Sequence, residues 1–342
     1  MDVATHLLVS LALVRAFFPR CSWRFVSVVV LAGVLADIDL LTLFFGPDAY
    51  LSGRFTWTHS ILGTLAIIAA STLLVVLFTR KSSPPQKAAP ANTGFAAVGI
   101  ATCIAAIAHV LTDLATSRGI ALLWPFRQTR FAGDLLPTTD PWILILLIAG
   151  ILLPELFALV SSEIGARDKA PRGRNGARLA LALLCIYVGV RFSLHTTAAA
   201  RLDAHAYRGE SPRRVAALPD SLSPFTWHGI AETTSQICTM DVPAMYASRF
   251  DSESSVCVHK PEPSSAFTAA QQTEAAQRFV AAARFPKASV DTFDLETVIV
   301  IRDVRDLAEE QSRLALAARI LVDSKGQVTS QHIVWARNVR LR

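Results

Sequence analysis

Charged residues are scarce in this chain: they form only 18% of its 342 residues, whereas hydrophobic residues form 52%. Because soluble domains are about one quarter charged, this shortage argues against a wholly soluble protein and indicates an integral membrane protein. The apolar residues are concentrated before about residue 198. We therefore expect a transmembrane helical domain at 1–198 and a soluble, extracytoplasmic α+β domain at 199–342.

Signatures of nucleotide binding and of serine hydrolysis are missing from the second part. No nucleotide loop, glycine-rich fingerprint or Ser-His-Asp grouping stands out there, so those chemistries have no support. Alternating runs at 298–301 and 318–323 predict strands, and the periodicity of 268–285 predicts a helix. At the other end, apolar sequence begins within a few residues of Met1 without a charged leader, so we expect the first segment to be retained.

Cysteines are few, and their five positions divide into two groups. Cys21, Cys103 and Cys185 lie in or beside apolar segments. Cys238 and Cys257 both lie in the expected soluble domain. A disulfide between these two would require an oxidising compartment, and their spacing alone leaves the pairing open.

Six apolar segments predict the membrane topology. They lie at 3–18, 25–45, 60–78, 95–114, 141–160 and 179–194. Several are shorter than the roughly 20 residues that usually span a bilayer, but short spans insert when they pack against neighbours. The predicted fold class is therefore mainly α: a polytopic bundle of about six transmembrane helices followed by the α+β domain.

The distribution of lysine and arginine orients this bundle. Loops 15–24, 80–93 and 161–178 hold eleven of these residues, and loops 46–59 and 115–140 hold four. Positive loops favour the cytoplasm, so we expect both termini outside the cell (inner) membrane. The net charge of +6 then reflects topology, and membrane lipids rather than nucleic acid are the expected partners.

Two carboxylates interrupt the second apolar segment. Asp37 and Asp39 lie within the run 26–45, where an ionised carboxylate costs roughly 2.5–3.5 kcal/mol. Further histidines and acids fall at the same expected outer face of the membrane: His6, His59, His109, Asp113 and Asp140. His109 and Asp113 are four residues apart, so they share one helix face.

Histidine and carboxylate side chains suit zinc and related divalent ions. We predict a divalent-metal site, with zinc as the preferred ion, and the following ligands: His6, Asp37, Asp39, His59, His109 and Asp113. A carboxylate that does not bind the metal, Asp39 or Asp140, would act as the general base.

Each of these residues also has a plainer interpretation. Asp37 and Asp39 point in nearly opposite directions on a regular helix, so either the helix ends or loosens there, or one carboxylate binds metal and the other supports it. A polar turn at the interface is the alternative. His59 would otherwise sit beside the cap of the next segment, and Asp140 would simply cap the fifth segment. A single histidine near a terminus, such as His6, is commonly incidental.

Four more side chains are candidates for binding phosphate: Arg54, Arg127, Arg191 and His195. Arg191 lies inside an apolar segment and needs a partner, which a lipid phosphate, an aspartate or His195 would supply. Its alternative is to extend towards the headgroups. Arg54 and Arg127 are equally explained as ordinary interface arginines.

Taken together, these motifs resemble a known family. The similarity is to the YdjM/YbcI-like family of membrane-bound hydrolases, to which metal dependence is ascribed. The similarity rests on the following positions: Thr5-His6, the motif 36–39, the stretch 54–60, the motif 109–113 with Gly119, and Trp124-Pro125-Phe126. A more distant similarity extends to the sixth segment and to 222–227. The family's ligand pattern is similar to that of zinc-dependent phospholipase C and P1-type nucleases. The resemblance therefore implies a phosphoester substrate, here a phospholipid headgroup.

Two functions from different classes follow. The first is a membrane-bound metal-dependent hydrolase that acts at the outer face on a phosphoester or lipid headgroup. The second is a non-enzymatic membrane protein with a structural metal site and an envelope-facing binding domain. They differ in coordination, because a catalytic site keeps one position open whereas a structural site is closed.

Overall fold

A computed structural model describes residues 1–18, 21–80, 95–163, 173–245, 250–293, 296–308 and 314–336. The chain divides into two units. The first contains Met1–Asp39, Phe55–Ser193 and Ser221–Pro224, and the second contains Leu40–Arg54, Leu194–Asp220 and Phe225–Arg342. The domain boundary expected at residue 198 falls inside a helix, and the short stretch Leu40–Arg54 groups with the second unit.

Helices form the first half of the chain. In order they are α1 (Val3–Phe17), α2 (Trp23–Val34), α3 (Pro47–Gly53), α4 (Ile61–Arg80), α5 (Phe95–Leu114), α6 (Pro141–Glu163) and α7 (Arg174–Asp203). A 3-10 helix, Leu35–Phe45, continues directly from α2. Of the alternatives for Asp37 and Asp39, the end of the regular helix is therefore observed, because α2 ends three residues before Asp37.

Polar side chains begin several of these helices. The Asp2 carboxylate accepts the amide of Thr5 at 2.9 Å, and the Ser60 hydroxyl accepts the amide of Gly63 at 3.0 Å. Such caps satisfy amides that have no partner within the first helical turn. The start of α1, which carries His6, and the start of α4, which follows His59, are thus set by local sequence.

All six predicted apolar segments contain a helix. Three helical stretches are long and apolar enough to cross a membrane: Trp23–Phe45, Ala96–Leu114 and Arg174–Asp203. In α1, α4 and α6, the apolar stretches whose side chains the structure describes are shorter: Val3–Phe17, Ile61–Leu74 and Pro141–Phe157. Large apolar side chains such as Leu65, Ile145 and Ile186 are exposed on these helices, as expected for lipid-facing surfaces.

Close packing joins α1 to α2. A Cβ at Gly33 would overlap the Ser10 hydroxyl and lie 3.0 Å from the Ser10 Cβ. Glycine is therefore needed for the backbone of α2 to approach α1 this closely. The approach places the end of α2, and the 3-10 helix that follows it, beside the helix that carries His6.

The second unit contains two antiparallel sheets of four strands. The first has the order β1 (Arg214–Pro219), β2 (Thr226–Glu232), β3 (Gln236–Pro243) and β4 (Val256–His259). The second has the order β5 (Pro286–Thr292), β6 (Glu296–Asp303), β7 (Leu316–Asp323) and β8 (Val328–Trp335). The strands predicted at 298–301 and 318–323 are confirmed as parts of β6 and β7. The described residues thus form eight strands besides the helices, so the fold is mixed. The predicted order of a helical, apolar first part and a second part with strands and helices is confirmed.

The helix predicted at 268–285 is two helices. These are α8 (Ser265–Gln271) and α9 (Glu274–Ala282). The break has a local cause, since the Thr273 hydroxyl accepts the amide of Ala276 at 3.3 Å and so caps α9. The buried face of α9 carries Phe279, which joins a core with Ile299 and Ile320 of the second sheet.

The first sheet has its own core. Trp227 of β2 is fully buried and packs in one cluster with Leu202, near the end of α7. Cys238 of β3 and Cys257 of β4 lie directly opposite each other and form a disulfide. The pairing that spacing alone left open is therefore present, and it ties the short edge strand β4 to β3.

Candidate metal centre

Four buried side chains converge in the first unit: His6, Asp37, His109 and Asp113. They come from α1, the 3-10 helix and α5. One ligand atom from each of the four lies within 4.8 Å of the others. Residues more than 100 positions apart in sequence thus form one compact group of two imidazoles and two carboxylates, which could hold a metal ion.

His6 faces both carboxylates. Its Nε2 lies 3.1 Å from Asp113 Oδ1 and 3.9 Å from Asp37 Oδ2. Its ring stacks on that of His109 with the centroids 3.8 Å apart, and its Nδ1 lies 3.3 Å from the hydroxyl of Thr112. The interpretation of His6 as an incidental residue near a terminus therefore does not fit its position.

His109 is oriented by the backbone. Its Nδ1 lies 2.8 Å from the carbonyl oxygen of Gly33, and a carbonyl only accepts, so Nδ1 carries the proton. The Nε2 lone pair is then directed towards Asp113, whose Oδ2 is 3.4 Å away. Histidines that bind metals are commonly held this way, through a hydrogen bond from the second ring nitrogen.

Asp113 lies at the centre of the group. Asp113 contacts two further groups besides His6 and His109. Its Oδ2 is 2.8 Å from Nε2 of His59, and its Oδ1 contacts the amino group of Met1. The side chain has no exposed surface. A fully buried carboxylate is energetically costly unless positive charge and hydrogen bonds compensate it.

Asp39 and His59 form a second layer beside the four-residue group. One oxygen of Asp39, Oδ2, accepts the amide of Phe55 at 2.8 Å and the hydroxyl of Thr58 at 3.0 Å. The same atom lies 3.1 Å from Nδ1 of His59. On the other side of its ring, His59 Nε2 lies 3.2 Å from Nε2 of His109. Asp37 and Asp39 are thus divided between the two layers, one of the arrangements that their spacing allowed.

The donor set fits a divalent cation. Three carboxylates, those of Asp37, Asp39 and Asp113, are each less than 7% exposed, in a region whose other titratable side chains are mainly imidazoles. Imidazole nitrogens together with carboxylate oxygens are ligands for zinc, iron and manganese. A bound cation would balance the excess negative charge.

Asp140 does not join this group through its observed contacts. Its Oδ1 accepts the amides of Trp142 and Ile143 at 2.9 and 3.2 Å, and its Oδ2 accepts the hydroxyl of Tyr187 at 2.9 Å. The carboxylate therefore caps α6 and ties it to α7. These contacts support the capping interpretation rather than the role of general base.

The four predicted phosphate ligands have different surroundings. Arg191 is 1% exposed, and its guanidinium donates to the carbonyls of Leu135 at 2.9 Å and Ser223 at 3.4 Å. His195 packs its ring 5.2 Å from that of Trp227. Arg127 is exposed, whereas Arg54 is buried and groups with the second unit. Phosphate binding by these residues stays a prediction.

Three contacts of the candidate residues were not predicted from sequence. They are those of the Gly33 carbonyl with His109, the Thr58 hydroxyl with Asp39 and the Tyr187 hydroxyl with Asp140. Thr58 adjoins His59, so its position beside a candidate ligand was a usable signal. Gly33 opens the acidic stretch 33–40, but only the packing of α2 against α5 reveals that its carbonyl meets His109. Tyr187 lies 47 residues from Asp140 and carried no local signal.

Apolar helices and a buried His/Asp group that could hold an ion define an integral membrane protein with a candidate metal centre. The chain belongs to the YdjM inner membrane protein family, whose sequence profile matches residues 1–198. The resemblance found in the motifs is thereby confirmed. No curated protein and no solved structure matches the chain.

Proposed function

We propose that this protein is a membrane-bound, metal-dependent hydrolase that acts on a phosphoester, most naturally the headgroup of a phospholipid. The observation that carries the proposal is the convergence of His6, Asp37, His109 and Asp113 within 4.8 Å. The nitrogen and oxygen donors favour zinc as the ion. Bound there, a divalent ion would stabilise the negative charge of a phosphoester and lower the pKa of a nearby water.

The surrounding residues have distinct roles in this proposal. Gly33 fixes the orientation of His109 through the 2.8 Å contact to its Nδ1. Asp39 orients His59, since its carboxylate lies 3.1 Å from Nδ1. Nε2 of His59 then faces the centre and is the group we assign to proton transfer, with Asp39 stabilising the charged imidazole. This assignment replaces Asp140, whose carboxylate is engaged at the start of α6.

The site is proposed to lie at the outer face of the membrane in a six-span bundle with the second unit extracytoplasmic. The arginine and lysine distribution in the loops supports this orientation. The disulfide between Cys238 and Cys257 adds support from a different kind of observation. Disulfides persist in oxidising compartments and are rare in the cytosol.

A structural metal site is the second candidate. The observation that favours it is the near-complete burial of the four-residue group, whose members are at most 6% exposed. A closed site of this kind would tie α1, the 3-10 helix and α5 together without turnover. The envelope-facing domain would then be the functional part of the chain as a binding module.

Metal content and turnover together test the proposal. Purified full-length protein is expected to hold zinc and to hydrolyse at least one member of a panel of phospholipids and phosphodiesters, with loss of activity in chelator and recovery on adding zinc. Asp113→Asn should weaken metal binding by more than about 100-fold, the upper end for loss of an outer-shell partner. Asp48→Asn, a change at an exposed acid of the second unit, is the matched control.

The outcomes separate the two candidates. Bound metal with no turnover on any substrate favours the structural site. Absence of bound metal in the wild type, or equal metal content in Asp113→Asn and the wild type, contradicts both. Asp39→Asn adds a finer test, because it should lower turnover and change its pH profile while leaving most of the metal bound.

A further inference from the structure

A groove opens over one face of the first sheet in the second unit. It consists of two adjoining cavities of about 600 and 440 Å³. Three residues line both cavities and so mark the middle of the groove: Ile237 of β3, Val258 of β4 and Lys287 of β5. Each cavity is within the size range of ligand sites in proteins.

The walls of the groove are apolar, with neutral polar groups between them. Aliphatic side chains line the floor on both sides of the middle, including Ile230, Val256 and Ile301. Val256 is 67% exposed and Val258 is 40% exposed, although both belong to a strand. Hydroxyl and amide side chains accompany them: Thr239, Ser254, Gln271 and Gln277. This mixture offers both apolar contact and hydrogen bonds along the groove.

Lys287 supplies an uncompensated positive charge in the middle. Among the described residues, no acid forms an ion pair with its ammonium group. The residue directly opposite it on β6 is a second cation, Arg302. Burial, and then the charge of Arg302, lower the pKa of Lys287 below its usual value. Like charges on facing positions of neighbouring strands destabilise a sheet, so this arrangement has a cost.

The acids of the groove are already paired. Glu232 lies 2.7 Å from the guanidinium of Arg214 and 2.9 Å from the ammonium of Lys260. Asp241, which is 74% exposed, lies 2.9 Å from Nδ1 of His228 in one of the two cavities. At the middle of the groove, the charge available to a ligand is therefore the positive charge of Lys287.

We propose that this groove binds an extended peptide segment in which an acidic side chain is flanked on both sides by aliphatic residues. An acid in the middle of the ligand matches Lys287 in the middle of the groove, and the aliphatic neighbours fill the two cavities. A fatty acid carries its charge at one end, so it would fill only one half. The hydroxyl and amide groups at the walls suit a peptide backbone, which needs hydrogen-bond partners throughout its length.

Binding of short peptides to the full-length protein in detergent tests this proposal. Four sets of labelled peptides would share randomised aliphatic and hydroxyl flanks and carry glutamate, aspartate, glutamine or lysine at the centre. The two acidic sets should bind about tenfold or more tightly than the glutamine set, the worth of a hydrogen bond to a charged group. Fluorescence anisotropy measures the difference.

Substitutions assign the effect to the groove. Lys287→Gln should reduce binding of the acidic sets to the glutamine level, whereas Lys325→Gln, at an exposed turn, should leave it unchanged. Val258→Glu places a carboxylate beside Lys287 in the chain itself and should compete with the acidic peptides. Protection of the first sheet in hydrogen exchange checks that each variant is folded.

Equal binding of all four sets, binding to none, or full binding by a folded Lys287→Gln variant would overturn the proposal. Octanoate bound in a Lys287-dependent manner, with no peptide selectivity, would also overturn it and would assign the groove to a fatty acid. The result is independent of the metal centre, since no residue of the groove belongs to that site.

Discussion

The two units of this protein treat charge in opposite ways. In the first unit, histidines and aspartates from separate helices are buried and face one another, as His6, His59 and Asp113 show. In the second unit, several ion pairs lie at accessible positions, although the Arg305–Asp303 pair is largely buried. The Arg214–Glu232 pair, for example, has side chains that are 49% and 21% exposed.

This difference indicates what each region was selected for. Buried ionisable groups contribute little to net stability because their desolvation cost is large, so a cluster of them points to binding or chemistry. The sheets of the second unit owe their stability to apolar layers and a disulfide. Changes at the buried group of the first unit should therefore alter metal binding, whereas changes at the cross-link and ion pairs of the second unit should alter its stability and leave metal binding unchanged.

Removing the disulfide is expected to give the largest difference between the two units, because it should affect the stability of the second unit and not the metal content of the first. In Cys238→Ser/Cys257→Ser the second unit should lose about 3 kcal/mol of stability, because the cross-link closes a loop of 19 residues in the unfolded chain. Metal content should be unchanged. Hydrogen exchange of β3 and β4, together with metal analysis, measures both quantities. Cys185→Ser, which removes an exposed free cysteine, is the control.

An intermediate effect is expected from Gly33→Ala. The added Cβ must displace Ser10, which shifts α2 and the carbonyl that orients His109. Loss of such an orienting contact typically costs about 10- to 100-fold in metal affinity. Competition with a chelator measures the change, and the second unit should keep its stability.

Two further variants define the cause. Gly189→Ala adds the same atom where nothing lies within 4 Å and should have no effect. Adding Ser10→Gly to Gly33→Ala removes the obstructing side chain and should restore most of the affinity. If the double variant stays as weak as Gly33→Ala, the close approach of α1 and α2 is not the reason.

The smallest effect concerns acid stability of the second unit. Hydrogen bonds from the hydroxyl and amide of Ser235 lower the pKa of Glu210 from 4.5 to about 2. Burial alone would raise the pKa of Asp303, but the neighbouring guanidinium of Arg305 outweighs it and lowers the pKa. Both carboxylates therefore bind protons more readily when the chain is unfolded.

The sign of the pH dependence follows from these shifts. The stabilisation by Glu210 is complete above about pH 4.5 and is lost as the pH falls towards 2. Glu210→Gln should flatten the fall in stability across this interval and change little at neutral pH. Urea unfolding followed at several pH values measures the slope, and an unchanged slope would contradict the assignment.

Much of the site was predictable because its residues break a strong local pattern. An ionised carboxylate has a high free-energy cost in an apolar segment, as at Asp37, Asp39 and Asp113. Histidines near these carboxylates therefore indicated a shared site for a cation that would offset this cost. Which of Asp37 and Asp39 joins the four-residue group, and which lies in the second layer, was not predictable. A spacing of two residues allowed several arrangements, and only the contacts of Asp39 with Phe55 and Thr58 place it behind His59.

Other features depended on tertiary context as well as on local pattern. Asp140 precedes proline at the start of a helix, and a carboxylate there serves equally as cap or as ligand until Tyr187 is seen to engage it. The break between α8 and α9 depends on one threonine in an otherwise periodic stretch. The charge count in the loops predicts an orientation, and the described residues contain three stretches long and apolar enough to cross a membrane, so the orientation and the full number of spans stay predictions.

The sequence by itself determined that the chain is a membrane protein with a separate part that contains strands and helices, and that acids and histidines in apolar segments form its candidate metal centre. Hydropathy and the free-energy cost of burying a charged side chain are properties of single residues, so they can be assessed from the sequence without knowledge of the fold. Only the tertiary structure decided which side chains meet, that the Gly33 carbonyl orients His109, and that a half-buried lysine lies between two cavities. Those facts depend on contacts between distant segments, and such contacts exist only once the chain has packed.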